Sequence, residues 1–168
     1  MVSQGRLGYA RVTFVGKEAA VDLVDLLVAD HRTIERLFAE IETSTGNPKR
    51  RREAVDIVIA ALRRHSSAEE EYLYPVARKH LSAGVDIAEH EIAEHEEADE
   101  LMSQLHSLDL TDPPFEPLLA QLIEDIRRHV QEEETELFPR LRQACDCETL
   151  VELGRRLATG RDRAPTTR

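Results

Sequence analysis

The sequence predicts an all-α protein, an up-and-down antiparallel four-helix bundle with a short extra C-terminal helix. Gly and Pro, which end or kink helices, are scarce between Ala19 and Leu157 and cluster where they occur. The long segments between these clusters carry apolar residues at helical spacing. Long amphipathic helices joined by short loops most simply pack antiparallel around one core, which is the architecture we expect here.

Three joints separate the predicted helices, at residues 45–48, 82–84 and 111–114. The helices are expected over about residues 19–41, 49–79, 85–108 and 117–142, followed by a shorter one over about residues 148–157. Each long helix has an apolar stripe that needs a packing partner. In chain order, the stripes contain Leu23, Leu27, Ile34, Leu37 and Phe38; Val55, Val58, Ile59 and Leu62; Ile87, Ile92, Leu101 and Leu105; and Leu119, Leu122, Ile126, Val130 and Leu137.

The two ends of the chain lack this helical pattern. We therefore expect an N-terminal extension over residues 1–18, the bundle over 19–145, the extra helix over 146–160 and a flexible tail over 161–168. The run Val12-Thr13-Phe14-Val15, within the extension, favours a strand because its residues are β-branched or aromatic.

The balance of charged residues disfavours several classes of function. Lys and Arg number 22 against 33 Asp and Glu, which gives a formal net charge of −11. Nucleic acids and anionic membranes are recognised by clustered cations, so neither is expected as a partner. No apolar stretch approaches the ~18 residues of a membrane span, and the N-terminus does not resemble a secretory signal, so we expect a cytoplasmic protein. Cys145 and Cys147 are too few for a disulfide framework.

An eleven-residue motif occurs twice, once in the second and once in the fourth predicted helix. Residues 65–75 and 129–139 share the template H-x-x-x-E-E-x-x-L-[YF]-P. A His and the Glu four residues later lie about 40° apart around a helix and ~6 Å apart along it, so both can reach one metal ion. Each pair also interrupts an apolar stripe that points into the core. The motif therefore predicts ligand pairs at His65 with Glu69 and at His129 with Glu133.

The other two long helices each place one His on the buried face, His31 in the first and His95 in the third. A single His–Glu pair on an acidic helix is more often a surface feature, but two copies on core-facing stripes favour a metal site. A bundle without metal would have to satisfy six buried polar groups by one another. Imidazole and carboxylate ligands without thiolate suit iron, while manganese and zinc remain possible.

These residues resemble the haemerythrin family, specifically the bacterial haemerythrin-like HHE cation-binding domains, over about residues 20–142. The resemblance rests on Asp30-His31, on the two His-x-x-x-Glu helices and on Glu94-His95-Glu96. It implies a four-helix bundle holding two non-haem iron ions, bridged by carboxylates and by an oxo or hydroxo group. The ligands that it implies are His31, His65, Glu69, His95, His129 and Glu133, with Glu69 and Glu133 as the bridging carboxylates.

The third helix departs from the oxygen-carrying haemerythrins. The carriers have a second His four residues before the position of His95, where this chain has Glu91. His90 lies about 140° from His95 around a helix, whereas Glu91 lies about 40° away, so Glu91 is the better seventh ligand. The alternative is that Glu91 hydrogen-bonds a ligating imidazole or faces solvent. A second departure is Glu134, which stands where the carriers have an Asp; spacing favours Glu133 for the inner face.

Two other residues are candidates for lining the site. Tyr72 lies seven residues after His65 and returns to the buried face, although plain packing is the simpler interpretation. Met102 shares a helix face with His95.

We expect the centre to act on a small molecule: O2, hydrogen peroxide or nitric oxide. A carboxylate at Glu91 adds negative charge and favours ferric iron, which hinders reversible release of oxygen. This favours a protective oxidoreductase with catalase- or peroxidase-like chemistry. The alternative is a binding module without turnover, either an oxygen carrier or a sensor of oxygen or iron.

Overall fold

The computed structural model describes residues 20–163, and within this range the prediction of an all-helical protein is confirmed. The predicted N-terminal extension, with its strand-like run, lies outside the described residues. Five helices are present in the described part of the chain. They are α1 (Leu23–Thr43); α2, made of the consecutive segments Pro48–Ala68, Glu69–Leu73 and Tyr74–His80; α3 (Gly84–Ser107); α4, made of Phe115–Glu132, Glu133–Leu137 and Phe138–Ala144; and α5 (Cys147–Arg163).

Side-chain caps fix where the first two helices begin. The Asp22 carboxylate accepts a hydrogen bond from the Asp25 amide at 2.8 Å, and the Asp25 carboxylate accepts one from the Asp22 amide at 3.1 Å. This reciprocal cap starts α1 four residues later than predicted. The Asn47 side chain caps α2, which then begins with Pro48, a residue whose missing N–H costs nothing at that position.

Each copy of the repeated motif contains a π-helical turn that begins at its glutamate, Glu69–Leu73 in α2 and Glu133–Leu137 in α4. The turns end at Tyr74 and Phe138, whose amides donate to the carbonyls of Glu69 and Glu133. In both helices the next residue is a proline, which has no N–H for the bond four residues back. The wider turn rotates the residues that follow, so that Tyr74 and Phe138 face the interior.

The helices α1 to α4 contact one another in antiparallel pairs. Arg142 near the end of α4 pairs with Asp25 near the start of α1 at 2.6 Å, while Arg127, earlier in α4, pairs with Glu35, later in α1, at 2.7 Å. The same relation holds for α1 with α2 and for α2 with α3. Each of these helices therefore spans the length of the domain.

The apolar core consists of two clusters, one toward each end of the domain. The first contains the later part of α1, the early part of α2, the later part of α3 and the early part of α4. The second contains the opposite halves of α1 to α4 together with Leu150 and Leu157 of α5. In all four long helices, the buried histidine lies in sequence between the residues of one cluster and those of the other.

The helix α5 lies along α1. Its approach is close at Gly154, where a Cβ atom would lie 2.8 Å from the carbonyl carbon of Asp22 and 2.9 Å from the amide nitrogen of Leu23. The helix continues to Arg163, so residues 161–163 are helical although the sequence predicts that they belong to a flexible tail. None of the helices between residues 20 and 163 combines the length and the apolar character of a membrane span.

Candidate metal centre

Four buried histidines, one from each of α1 to α4, meet between the two apolar clusters. His31 and His65 face each other with their Nε2 atoms 3.0 Å apart. The rings of His95 and His129 form a second pair, with their centroids 5.1 Å apart. All four are at least nine-tenths buried. The structure thus brings together the four histidines that the sequence predicts as ligands.

The carboxylate of Glu69 lies between the two histidine pairs and is completely buried. Its Oε1 atom is 3.0 Å from Nε2 of His65, and its Oε2 atom is 3.3 Å from Nε2 of His95. The two oxygens therefore point toward different pairs of imidazoles. This is the orientation that a carboxylate bridging two cations requires.

The carboxylate of Glu133 is equally buried and also reaches both pairs. Its Oε2 atom lies 3.3 Å from Nε2 of His31 and 3.8 Å from Nε2 of His129. Between them, the two glutamates of the repeated motif, one on α2 and one on α4, contact all four imidazoles.

The chemistry of this donor set fits a cation. Among the residues described, neither oxygen of Glu69 and neither oxygen of Glu133 has a hydrogen bond of good geometry, although imidazole nitrogens lie close to them. Buried carboxylates without donors are costly, and a bound cation would supply the missing charge. Donor atoms approach one another within 4.8 Å in three fully buried sets: His31, His65, Glu69 and Glu133; Glu69, His95 and His129; and Glu91, His129 and Glu133.

The outward ring nitrogen of each histidine, Nδ1, contacts a carboxylate on a neighbouring helix. We call these four residues the outer carboxylates. The contacts are Asp30 to His65 at 3.5 Å, Glu70 to His95 at 3.1 Å, Glu94 to His129 at 2.9 Å and Glu134 to His31 at 2.8 Å. A carboxylate that accepts from Nδ1–H fixes the tautomer and aims Nε2 inward. Three imidazoles, those of His31, His95 and His129, are oriented in this way by hydrogen bonds, whereas the longer contact of His65 with Asp30 is not a hydrogen bond.

The outer carboxylates form a closed ring around the domain. Each is the immediate sequence neighbour of a predicted ligand on its own helix and contacts the histidine of the next helix, from α1 to α2, α2 to α3, α3 to α4 and α4 back to α1. The ring makes the orientation of each imidazole depend on the packing of two helices.

Without a metal ion, protons balance the charge of this cluster. Burial and the negative charge of Glu69 raise the pKa of Glu133 to about 7. Although burial opposes it, the charge of Glu69 raises the pKa of His65 to about 10. Burial likewise opposes ionisation of Glu69, but the positive charge of His65 holds the pKa of Glu69 well below its usual range. Metal binding must therefore displace protons from the imidazoles.

Comparison with known protein families identifies the family to which the chain belongs. Residues 22–141 match the family model described as the haemerythrin HHE cation-binding domain, which is well over half of the chain. The chain belongs to the haemerythrin HHE cation-binding domain family. All six predicted ligands of this HHE domain lie within the matched residues.

Relatives of the HHE domain include proteins of different length. A DNA nickase of Nostoc is 29% identical over 138 residues, covering 82% of this chain and 38% of the nickase. An uncharacterised haemerythrin-like protein of Schizosaccharomyces pombe is 29% identical over 116 residues, covering 68% of this chain and 57% of that protein. The chain thus spans less than two-thirds of either relative.

A solved structure has the same fold as the HHE domain. It is the crystal structure of a haemerythrin HHE cation-binding domain-containing protein from Mycobacterium kansasii, with a TM-score of 0.74 and 22% sequence identity. The similarity covers 85% of this chain and 86% of that one.

Within the HHE domain, Glu91 is buried against the outward nitrogen of His129, whereas His90 is exposed. Oε2 of Glu91 is buried and lies 3.0 Å from Nδ1 of His129. Glu94 takes the hydrogen bond from that nitrogen, so Oε2 of Glu91 has no well-aligned donor among residues 20–163. The His90 side chain is 64% exposed and pairs with Glu94 at 3.8 Å.

Sequence reasoning missed Tyr74 as an aromatic residue at the centre. Its hydroxyl lies 3.1 Å from Nε2 of His95, and its side chain is completely buried. The predicted lining residue Tyr72 instead packs in the apolar cluster that includes α5, with the guanidinium of Arg156 5.5 Å from its ring centre. The π turn between His65 and Tyr74 causes the difference, because it changes which side chain returns to the inner face.

Two cavities open next to the centre from different sides. One, of about 300 Å³, lies between α2 and α3 and is lined by His95 and Met102 together with the polar residues Arg63, Ser66 and Ser67. The predicted lining residue Met102 is therefore adjacent to the site. The other, of about 260 Å³, lies between α1 and α4 beside His31 and has an apolar wall of Ile34, Phe38, Ile126 and Val130.

Proposed function

We propose that this HHE domain is a non-haem di-iron protein that reacts with O2, hydrogen peroxide or nitric oxide. In this proposal α1 to α4 constitute an up-and-down four-helix bundle, a view supported by their antiparallel ion pairs. His31 and His65 would hold one iron, and His95 and His129 the other. Glu69 and Glu133 would bridge them, and the observation that carries this is the placement of the two Glu69 oxygens against different histidine pairs.

Iron suits the donor set because imidazole and carboxylate together favour it over ions that prefer thiolate or all-oxygen sites. Bound iron would supply one-electron chemistry with oxygen and its reduced forms. The buried, oriented imidazoles keep Nε2 available to the metals, and the outer carboxylates increase the basicity of those imidazoles.

We further propose a redox role that decomposes peroxide and protects the cell. Donor atoms of Glu91, His129 and Glu133 approach one another within 4.8 Å, which supports Glu91 as a seventh ligand that adds negative charge; the alternative is that Glu91 accepts a hydrogen bond from His129. The neutral hydroxyl of Tyr74 can donate a hydrogen bond inside the centre. The polar cavity lined by His95 lets a small polar oxidant approach that imidazole. The formal net charge of −11 opposes a nucleic-acid partner.

The second candidate function is oxygen binding or sensing without turnover. The cavity beside His31 favours it, since its wall of Ile34, Phe38, Ile126 and Val130 would admit an apolar gas more readily than peroxide.

The decisive experiment is metal analysis followed by reaction with each small molecule. The protein is purified anaerobically, its metals are quantified, and absorption spectra are recorded on adding O2, hydrogen peroxide and nitric oxide. We expect about two irons per chain, because two carboxylates can each bridge two metals. Rapid loss of peroxide with release of O2 supports the enzyme, whereas a stable and reversible oxygen spectrum supports the carrier.

Matched glutamate variants test the ligand assignment. Glu69→Gln and Glu133→Gln should lower iron content and thermal stability together, because the metal stabilises only the folded site. Glu71→Gln and Glu136→Gln change exposed residues of the same two π turns and should leave both unchanged. Equal behaviour of the two sets, or wild-type protein without metal after reconstitution with ferrous iron, contradicts the di-iron proposal.

A further inference from the structure

We infer that Arg161 of α5 is a positioning residue for the metal centre, holding the carboxylate of Asp30 against the outward nitrogen of His65. The inference rests on the proposed function, in which His65 binds iron. The helix α5 lies beyond the family match over residues 22–141. In this inference α5 helps to orient a ligand of the centre, whose ligands all come from α1 to α4.

The first observation is a three-residue chain of contacts that starts on α5. Arg161 forms an ion pair with Oδ2 of Asp30, and the same oxygen lies 3.5 Å from Nδ1 of His65. The side chains become more buried toward the centre, with exposures of 26% for Arg161, 16% for Asp30 and 5% for His65. Arg161 therefore acts on the centre from the outside, through a single shared oxygen.

The second observation is that Asp30 is the outer carboxylate that most needs support. Its contact with imidazole, at 3.5 Å, is the longest of the four, and Nδ1 of His65 has no well-aligned hydrogen-bond partner among the described residues. Aspartate is also shorter than the glutamates at the other three positions. A guanidinium bound to Asp30 restricts the rotation of its carboxylate, which favours the contact with His65.

The third observation is the register of α5 on α1. Gly154 contacts the backbone at Asp22 and Leu23, and Arg161, seven residues later, contacts Asp30, seven residues after Leu23. Seven residues of helix advance by about 10.5 Å, so two parallel helices have the same register at both ends of this distance. The close approach at Gly154 thus sets the height at which Arg161 meets Asp30.

Two of the other three outer carboxylates are paired with arginines from within α1 to α4. Glu134 pairs with Arg32 at 2.6 Å, and Glu94 lies 3.7 Å from Arg128. Asp30 differs because its arginine comes from the extra helix. Docking of α5 is thereby linked to the orientation of one predicted iron ligand.

The test measures how fast the iron-loaded, full-length protein loses metal to an excess of chelator. Asp30→Asn should accelerate the loss about tenfold or more, the usual effect of removing a carboxylate behind a ligating histidine. Arg161→Gln should accelerate it about threefold to tenfold, and Arg161→Lys should restore a rate close to that of wild type because it keeps the charge. Arg155→Gln is the matched control, since Arg155 is an exposed arginine of α5 that pairs with Glu152.

A double-mutant cycle separates positioning from plain stabilisation. If Arg161 acts through Asp30, the double variant Arg161→Gln, Asp30→Asn should lose metal no faster than Asp30→Asn alone. If the two substitutions multiply their effects on the rate of metal loss in the double variant, the inference is wrong. It is also wrong if Arg161→Gln loses metal at the same rate as Arg155→Gln. Should Arg161→Gln fail to fold by circular dichroism, the same cycle is run with Arg161→Met, which keeps the aliphatic packing.

A measurement on metal-free protein distinguishes this inference from the proposed function. The ring of His65 is observed by nitrogen-15 NMR at one fixed pH. The Nδ1 resonance, which reports how close the Asp30 carboxylate lies to the ring, should be the same in wild type and Arg161→Lys and shifted in Arg161→Gln. An identical signal in all three overturns the role of Arg161, whereas absence of iron from wild-type protein contradicts only the di-iron proposal.

Discussion

The hydroxyl of Tyr74 lies 3.1 Å from Nε2 of His95, the ring nitrogen that also faces Glu69. The repeat places Phe138 at the equivalent position of α4, where its ring stacks on His31 with the ring centres 5.7 Å apart. The two halves of the centre therefore resemble each other in ligands but differ by one hydroxyl. Burial and the charges of Glu69 and Glu133 raise the pKa of Tyr74, so this hydroxyl keeps its proton and remains a donor.

Replacement of that hydroxyl tests its part in the reaction. Tyr74→Phe should keep two irons per chain but lower the rate of peroxide loss about tenfold or more, because the only change is one hydrogen-bond donor at the centre. Metal analysis and oxygen release are measured together. Tyr72→Phe makes the same chemical change beside α5 and should have little effect; equal losses from both variants would show that packing, not the donor, matters.

Substitution of Glu91 tests the charge of the centre. If Glu91 is a ligand, Glu91→His should remove a negative charge, raise the reduction potential, make oxygen binding more reversible and slow peroxide turnover. Spectroelectrochemistry and stopped-flow absorption give these quantities. His90→Ala should leave them unchanged, because that side chain is exposed. Loss of iron in His90→Ala, with no effect of Glu91→His, would show that His90 is the ligand.

The metal-free protein should become less stable as the pH rises. The pKa of His65 is raised to about 10 and that of Glu133 to about 7, so the protonated forms favour folding and their contribution disappears as the pH passes these values. We expect the melting temperature without metal to fall by about 5 °C or more between pH 6 and pH 10. Differential scanning calorimetry measures it. A flat profile, or a melting temperature that rises with pH, would contradict the protonation of this cluster.

Gly84, at the joint between α2 and α3, should tolerate no side chain. A Cβ atom there would lie 2.1 Å from the carbonyl oxygen of Ala77 and 2.8 Å from its carbon, both backbone atoms. Gly84→Ala should therefore lower the free energy of unfolding by about 2–3 kcal/mol. Gly46→Ala is the control, since a Cβ atom at Gly46 meets nothing within 4 Å. Chemical denaturation of the pair compares them, and similar midpoints would refute the predicted clash.

The helical faces of the site were predictable from the sequence, because four-residue spacing fixes geometry within a helix. His65 with Glu69 and His129 with Glu133 are buried as the motif indicates. The joints were predictable for the same local reason, since Gly and Pro residues end helices wherever they cluster.

Contacts that depend on two helices, or on a departure from α-helical geometry, could not be read from spacing. Glu70 and Glu134 point away from the ligands on their own helices yet contact His95 and His31 on others. Their distances depend on how the helices pack. The π turn in α2 likewise brings Tyr74, and not Tyr72, to the inner face. The proline that ends each copy of the motif was the one sign of these turns in the sequence.

The division of the apolar core into two clusters has a consequence for folding. A layer of imidazoles and carboxylates separates them, so cooperativity between the two ends depends on that layer. With metal bound, the ligands would cross-link α1 to α4 and the ends would unfold as one unit. Without metal, native-state hydrogen exchange should show two units that open independently. The amides of the unit that contains α5 should share one free energy of opening, different from that of the other unit.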